Sequence, residues 1–454
     1  MKQLNLLEGK IFPTMIRLAA PLMGTAFIQM FYTLTDMAWI GRISTEAVAA
    51  AGVIGFLMWI GSSITLIPRV GSSVLTAQYY GRHNYDTAKQ VINNGAWLAG
   101  VMGIIYGMFL ILFRAPLISF YQLSTEVNRL TEQYLMIIAI GMPLFFINPV
   151  LSGLYNSLGN SRTPFRINSV GLVMNIIADP ILIFGLGPLP ALGIRGAAIA
   201  TVFAQVVVFL CFVGVIIKSR DFIFYSKLLK YMPNRQLIID MTKLGFPVSL
   251  QSNIHAFISV ILNRYVAFYG AMPLAVASVG SNIESISWMT TEGFASAITA
   301  FTAQNYGANK LERVHSIFYT SMRSVGVIGI FATGILLGFR YELFNIFMPN
   351  DPDAIALGTV YLFIFGLSQF FMSIEIGASG FLNGLSDTRT PSLINTLLNI
   401  LRIPMALLFM PTFGVAGVWI GMSLSSVFKG IILYIVSGRR LKNVKYLDIN
   451  NTPI

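Results

Sequence analysis

The sequence alternates long apolar runs with short polar segments along its whole length. Each run holds about twenty residues or more, which is enough for a helix to cross a bilayer core of roughly 30 Å. This pattern predicts an all-α polytopic membrane protein with twelve transmembrane helices. The runs lie at about 13–41, 46–76, 92–113, 132–157, 166–186, 193–217, 246–268, 275–301, 317–338, 356–384, 392–411 and 414–436.

The composition favours a membrane protein over a soluble one. The chain of 454 residues is 55% hydrophobic and 11% charged, whereas soluble domains have roughly 25% charged residues. The first apolar run begins near Phe12 and lacks an obvious signal-peptide cleavage site, so we expect it to be retained as a helix. Cys211 is the single cysteine, which excludes an intramolecular disulfide and a cysteine-rich metal site.

The net charge of +12 is explained by the positions of the basic residues between the apolar runs. If the N-terminus is assigned to the cytoplasm, most of the 30 Lys and Arg residues lie in cytoplasmic segments. The positive-inside rule then predicts a multi-pass protein of the plasma (inner) membrane with both termini in the cytoplasm. Because this topology accounts for the high net charge, no nucleic-acid partner is expected. The loops on the opposite side hold Arg42, Arg114, Arg129, Arg195 and Arg340.

Three motifs recur in the same order in both halves of the chain. The Ala-Gln-x-Tyr-Gly segment at 77–81 returns 226 positions later at 303–307, and the segment 153–164 returns 227 positions later at 380–391. The Gly-x-x-Gly pair at 193 and 196 returns at 414 and 417, after a shorter interval. Since each copy holds six predicted spans, the copies are expected to be parallel repeats, an arrangement typical of transporters.

The repeats predict two lobes with a substrate site between or within them. The N-lobe is predicted at residues 1–217 with helices 1–6, and a cytoplasmic linker at 218–245. The C-lobe is predicted at 246–454 with helices 7–12 and a short C-terminal tail.

The chain resembles the multidrug and toxic compound extrusion (MATE) family over essentially its full length. The resemblance is carried by the repeated motifs, by Pro21, Gln29, Phe31-Tyr32 and Asp36 in the first run, and by the segment Asn-Ile-Ile-Ala-Asp-Pro at 175–180. It looks closest to the DinF-type branch. The resemblance implies a MATE-like fold and export of amphipathic, often cationic drugs or dyes by alternating access, driven by inward flow of H⁺ or Na⁺. We expect a monomer that needs no cofactor apart from the coupling ion.

Five acidic residues lie inside predicted spans, where a carboxylate costs roughly 2.5–3.5 kcal/mol even on a lenient insertion scale, so each is a functional candidate. Asp36, Asp179 and Thr201 are predicted at one depth below the outer surface, and Asn175 lies one helical turn before Asp179. Together they offer a set of oxygen ligands for a cation. The resemblance implies the same role, because these four positions match the cation-binding site of the DinF-type branch, which would hold Na⁺ or H⁺.

The second half departs from the family pattern. The positions that match the functional acids of the NorM-type branch are His255 and Met372. The remaining intramembrane acids could contact a cationic drug or neutralise a helix, and aromatic side chains suit recognition of flat cations. The substrate-binding candidates are Tyr32, Tyr155, Glu284, Glu292 and Glu375. Arg402 could pair with one of the glutamates, but the sequence does not identify which.

Two other functions fit the sequence less well. An intramembrane enzyme is not favoured, because the sequence has no His-Glu-x-x-His motif, no Walker loop and no Gly-x-Ser-x-Gly nucleophile elbow. A lipid-linked oligosaccharide flippase of the same superfamily would share the architecture. Such proteins generally line their cavity with several arginines, whereas the first half of this chain offers an acidic pair.

Overall fold

A computed structural model describes residues 4–185, 190–219 and 233–444 of the protein. Within these ranges every regular element is a helix and no strand occurs, which confirms the prediction of an all-α polytopic membrane protein. Residues 220–232 of the predicted linker and the C-terminal tail from residue 445 lie outside the described residues. The helices are α1 (Ile11–Ile40), α2 (Thr45–Gly81), α3 (Tyr85–Leu112), α4 (Arg114–Ser119), α5 (Thr125–Ser157), α6 (Arg162–Phe184), α7 (Ile194–Ser219), α8 (Arg235–Ala267), α9 (Ala271–Gly307), α10 (Leu311–Gly338), α11 (Arg340–Phe347), α12 (Pro352–Gly384), α13 (Arg389–Ile400), α14 (Arg402–Phe413) and α15 (Val415–Lys442).

Eleven helical segments in the described part of the chain are long and apolar enough to cross a membrane. One of them, Arg389–Phe413, combines α13 and α14. The predicted span at 275–301 is helical too, as part of the 37-residue α9. It is not among the eleven, because Glu284, Glu292 and several Ser, Thr and Asn residues lower its hydropathy. The short helices α4 and α11 are additions that the apolar pattern does not predict.

The described chain forms two compact units, and the first contains Gly24–Ser249. Its central helix is α5, which packs against α2, α3 and α7. The Ser124 side chain caps α5 by accepting a hydrogen bond from the Val127 N–H. Helix α3 approaches α5 closely at Gly103, where a Cβ would lie 2.7 Å from the Pro143 Cα. Glycine is therefore required there for contact between the two backbones.

The second unit contains Asn5–Met23 and the chain from Leu250 onward. Its central helix is α12, which packs against α9, α10 and α15. Asp351 caps α12 and stands 227 positions after the cap of α5. At Gly329 on α10 a Cβ would lie 2.7 Å from the Phe370 Cα, which reproduces the close approach of α3 to α5. The sequence repeat thus corresponds to the same packing inside each unit.

The boundary between the units falls inside two helices rather than in the linker. Residues of α1 up to Met23 belong to the second unit, and α8 belongs to the first unit up to Ser249. Hydrogen bonds from Asn305 to the Leu6 carbonyl at 3.0 Å and from Arg313 to the Gly9 carbonyl at 2.9 Å attach the N-terminal segment to the second unit. The lobe limits at 217 and 246 stay predictions.

Candidate functional site

The four predicted cation ligands lie together inside the first unit, on α1, α6 and α7. The Thr201 hydroxyl can donate to Asp36 Oδ2 at 3.2 Å, and Asn175 Nδ2 donates to Asp179 Oδ1 at 3.3 Å. Asn175 and Asp179 are fully buried and Asp36 is half-buried. The helical spacing brings Asn175 and Asp179 to one face of α6, and tertiary packing adds Asp36 and Thr201.

The oxygens of this group exceed the hydrogen-bond donors around them. Asp36 Oδ1, Asn175 Oδ1 and Asp179 Oδ2 are buried and accept no hydrogen bond from the described residues. The Asp36 carboxyl also lies within hydrogen-bonding range of the Asp179 carboxyl. Since two carboxylates can only accept, a shared proton or a cation is needed between them. Oxygen ligands of this kind suit hard cations.

The group is not a typical transition-metal site. The described residues contain no cluster of three or more His, Cys, Asp or Glu side chains that could hold a metal ion. Two carboxylates with an amide and a hydroxyl instead offer oxygen ligands to a hard cation, or a place for a shared proton. The role of Asp36, Asn175, Asp179 and Thr201 as a coupling or Na⁺ site stays a prediction.

Two tyrosines complete the surroundings of the acidic pair. Tyr134 on α5 is hydrogen-bonded to the Thr201 side chain and lies close enough to both aspartates to interact electrostatically. Tyr32, predicted as a substrate contact, lies near the same two carboxyls, and its buried hydroxyl has no hydrogen-bond partner among the described residues. Tyr134 is not among the predicted site residues. The sequence repeat is a signal that could have identified it, because a tyrosine, Tyr361, stands at the matching position 227 residues later.

The second unit holds two of the predicted glutamates in a network of partners. Glu284 on α9 accepts hydrogen bonds from Gln369 Nε2 at 3.2 Å and from the Tyr361 hydroxyl. Glu375 on α12 forms an ion pair with Lys429 on α15, in which Nζ lies 3.0 Å from Oε1. Both side chains of this pair are buried. Lys429 is not among the predicted site residues, although it is the only Lys or Arg in the apolar run 414–436.

Arg402 lies in the same network, buried at the start of α14. Its Nε donates to the Ser425 hydroxyl at 3.3 Å and its Nη2 donates to the Ser426 hydroxyl at 3.1 Å. The guanidinium interacts electrostatically with Glu375 and Glu284 but forms a direct ion pair with neither. The sequence left open which glutamate pairs with Arg402. In the structure Arg402 pairs directly with neither Glu284 nor Glu375, and the direct partner of Glu375 is Lys429.

The other two substrate-binding candidates lie in different surroundings. Tyr155 is 1% exposed, and its ring lies 5.8 Å from the ring of Phe212 in the core of the first unit. Glu292 is exposed on α9. The structure does not gather Tyr32, Tyr155, Glu284, Glu292 and Glu375 into one group, and their roles in substrate binding stay predictions.

The chain is similar to known membrane transporters over nearly its full length. It is 28% identical to a probable multidrug resistance protein NorM of Thermotoga maritima, over 94% of this chain and 92% of that protein. It is 24% identical to an FAD transporter of Shewanella oneidensis, over 97% of each chain. A solved structure of a multidrug resistance MATE family transporter in an outward-facing conformation has the same fold, with a TM-score of 0.91 at 21% identity, over 98% of this chain and 99% of that one.

The family comparison matches the chain twice, once in each half. The MatE family model covers residues 21–181 and 247–408, which is more than half of the chain. The two matched segments begin 226 positions apart, the interval already found for the repeated motif at 77–81. The chain therefore belongs to the MatE family, the multidrug and toxic compound extrusion family that its motifs resemble.

Proposed function

We propose that the protein is a secondary active multidrug efflux transporter that exports amphipathic, often cationic compounds in exchange for H⁺ or Na⁺. The coupling site of this proposal consists of Asp36, Asn175, Asp179 and Thr201. The observation that carries it is the acidic pair with its neighbouring amide, because Asp36 Oδ1, Asp179 Oδ2 and Asn175 Oδ1 are buried and accept no hydrogen bond from the described residues. Such a pair is costly in a membrane unless a proton or cation binds there, so its protonation or occupancy can be linked to transport.

The family and the charge pattern support a proposal about where and how the protein acts. The protein acts as a multi-pass membrane transporter, and we place it in the inner membrane with both termini in the cytoplasm. We propose a monomer that belongs to the DinF-type branch and requires no cofactor other than the coupling ion. Among the candidate substrate contacts, Glu292 is the most exposed, whereas Tyr155 and Glu375 are buried in this conformation.

Transport by the purified protein in proteoliposomes tests the proposal. Efflux of a cationic dye is measured with an inward Na⁺ gradient, an inward H⁺ gradient, or neither. We expect Asp36→Asn to abolish gradient-driven efflux while leaving membrane insertion intact, since it removes an intramembrane charge. Asp86→Asn is the matched control, because the Asp86 side chain is 85% exposed and lies far along the chain from the site.

Two results would argue against this function. If Asp36→Asn protein exports dye at the wild-type rate with the same response to both gradients, the proposed coupling site is wrong. If the wild-type protein moves FAD or a lipid-linked oligosaccharide but no cationic dye, the substrate class is wrong, and the flippase alternative or an anionic cargo replaces it.

A further inference from the structure

The repeat places basic residues in the second unit at positions that are neutral in the first. Arg402 stands 227 positions after Asn175, the same interval that relates Thr390 at the start of α13 to Thr163 at the start of α6. Lys429 stands 221 positions after Val208, the interval that relates Gly417 to Gly196. An amide of the predicted cation site and an apolar core residue are thus replaced by a guanidinium and an ammonium.

Glu375, the partner of Lys429, also takes the place of a neutral residue of the first unit. Glu375 stands 227 positions after Asn148, and in the first unit Asn148 Nδ2 donates to Gln205 Oε1 at 2.9 Å. Only the Asn148 end of this bond matches by position, because Gln205 stands 221 positions before Ser426 and not before Lys429. Helices α5 and α7 are thus joined by a neutral hydrogen bond, whereas α12 and α15 are joined by the Glu375–Lys429 ion pair. The tyrosine next to each acidic group is kept, as Tyr134 and Tyr361.

The two units consequently differ in how their buried carboxylates are neutralised. In the first unit neither Asp36 nor Asp179 forms an ion pair with any described Lys or Arg, so their two negative charges require a proton or cation from outside. In the second unit the two negative charges of Glu284 and Glu375 are accompanied by the two positive charges of Arg402 and Lys429.

The basic side chains of the second unit are held in place by their neighbours. Ser425 donates its proton to the Leu398 carbonyl at 2.7 Å, which leaves its oxygen to accept from Arg402 Nε. Lys429 is 5% exposed and lies 3.0 Å from Glu375 Oε1. The second oxygen, Glu375 Oε2, is buried and accepts no hydrogen bond from the described residues. The ammonium thus takes the place next to this carboxylate that a soluble cation would need.

We propose that Lys429 and Arg402 are built-in cations that permanently neutralise the carboxylates of Glu284 and Glu375. A soluble coupling cation then binds only at Asp36 and Asp179. This inference rests on the proposed function for its statement about coupling. It also assigns a latent site: without the Lys429 ammonium, Glu375 binds a small monovalent cation such as Na⁺.

Thermal unfolding of the purified, full-length protein in lipid nanodiscs tests the latent site. Each variant is measured in NaCl and in choline chloride at the same ionic strength, because choline is too large for such a site. Lys429→Met is made in the Asp36→Asn background, which removes the response of the first unit. We expect Asp36→Asn alone to unfold at the same temperature in both salts. We expect Na⁺ to raise the midpoint of Asp36→Asn/Lys429→Met by about 2 °C or more at concentrations well above its Kd.

Two controls identify the side chains responsible. Lys429→Arg in the same background keeps a cation beside Glu375 and should show no Na⁺ response. Adding Glu375→Gln to Asp36→Asn/Lys429→Met removes the anionic ligand and should abolish the response. If the Lys429→Met protein cannot be purified in choline, NaCl should restore its yield, and this rescue should disappear with Glu375→Gln.

The outcomes separate this inference from the proposed function. No Na⁺ response and no rescue by NaCl with Lys429→Met would overturn the built-in cation, whatever the first unit does. A Na⁺ response that persists in Asp36→Asn alone would instead contradict the coupling site of the proposed function. If adding Glu375→Gln to Asp36→Asn/Lys429→Met leaves the Na⁺ response as large as before, the latent site is also wrong.

Discussion

The ligands of the predicted cation site should differ in their effect on coupling according to charge. Asp179→Asn removes one of two negative charges beside the cation. At about 4 Å and an effective dielectric constant of about 20, one charge contributes about 4 kcal/mol, which corresponds to a rise of about 10³-fold in the Kd of the cation. Asn175→Ala removes only a neutral amide, with its oxygen and the hydrogen bond that Nδ2 donates to Asp179 Oδ1 at 3.3 Å. A neutral interaction of about 1 kcal/mol corresponds to roughly fivefold.

The assay is dye export from proteoliposomes as a function of the concentration of the driving cation. Asp179→Asn should show no saturation in the accessible range, whereas Asn175→Ala should saturate at a moderately higher concentration with its maximal rate kept. Thr201→Val should resemble Asn175→Ala, since it removes one hydroxyl 3.2 Å from Asp36 Oδ2. The electrostatic argument would be refuted if Asn175→Ala were as severe as Asp179→Asn, or if Asp179→Asn left the concentration dependence unchanged.

Three further predictions concern packing, the buried ion pair and topology. Gly329→Ala should destabilise the protein by about 1–3 kcal/mol in thermal unfolding, because its Cβ would lie 2.7 Å from the Phe370 Cα; Gly334→Ala on the same helix has open space and should be neutral or slightly stabilising. Lys429→Met should cost about 3–5 kcal/mol in salt without small cations, and Glu375→Gln/Lys429→Met should recover most of it; equal losses in the single and double variants would show that the pair is not coupled. In a Cys211→Ala background, cysteines at Asn84 and Asn234 should be labelled only from the cytoplasm and one at Asp351 only from outside, and external labelling at position 234 would contradict the predicted topology.

Much of the architecture follows from the sequence because it depends on local composition and spacing. Apolar runs of membrane-crossing length predict helices wherever they occur, since in lipid a chain must satisfy its backbone hydrogen bonds internally. Residues 175 and 179 share a helix face from their spacing alone, and the high cost of buried carboxylates marks Asp36 and Asp179 as candidates. Part of the repeat is visible because both copies keep a glycine where two helices touch: a Cβ at Gly196 would clash with the Leu182 backbone, and one at Gly417 with the Phe409 backbone.

The partners of the buried groups depended on tertiary structure. Glu375 and Lys429 are 54 residues apart on different helices, so no local pattern links them, and Arg402 was the cation that the sequence made conspicuous. Tyr134 looks like an ordinary residue of an apolar helix until α5 packs against α7 and brings it to Thr201. By itself the sequence determined which helices form and which side chains are costly to bury, because both depend on the residues and their immediate neighbours. Only the packing of α5 with α7 and of α12 with α15 decided which of those side chains satisfy one another, because hydrogen bonds and ion pairs at about 3 Å require helices distant in sequence to meet in one register.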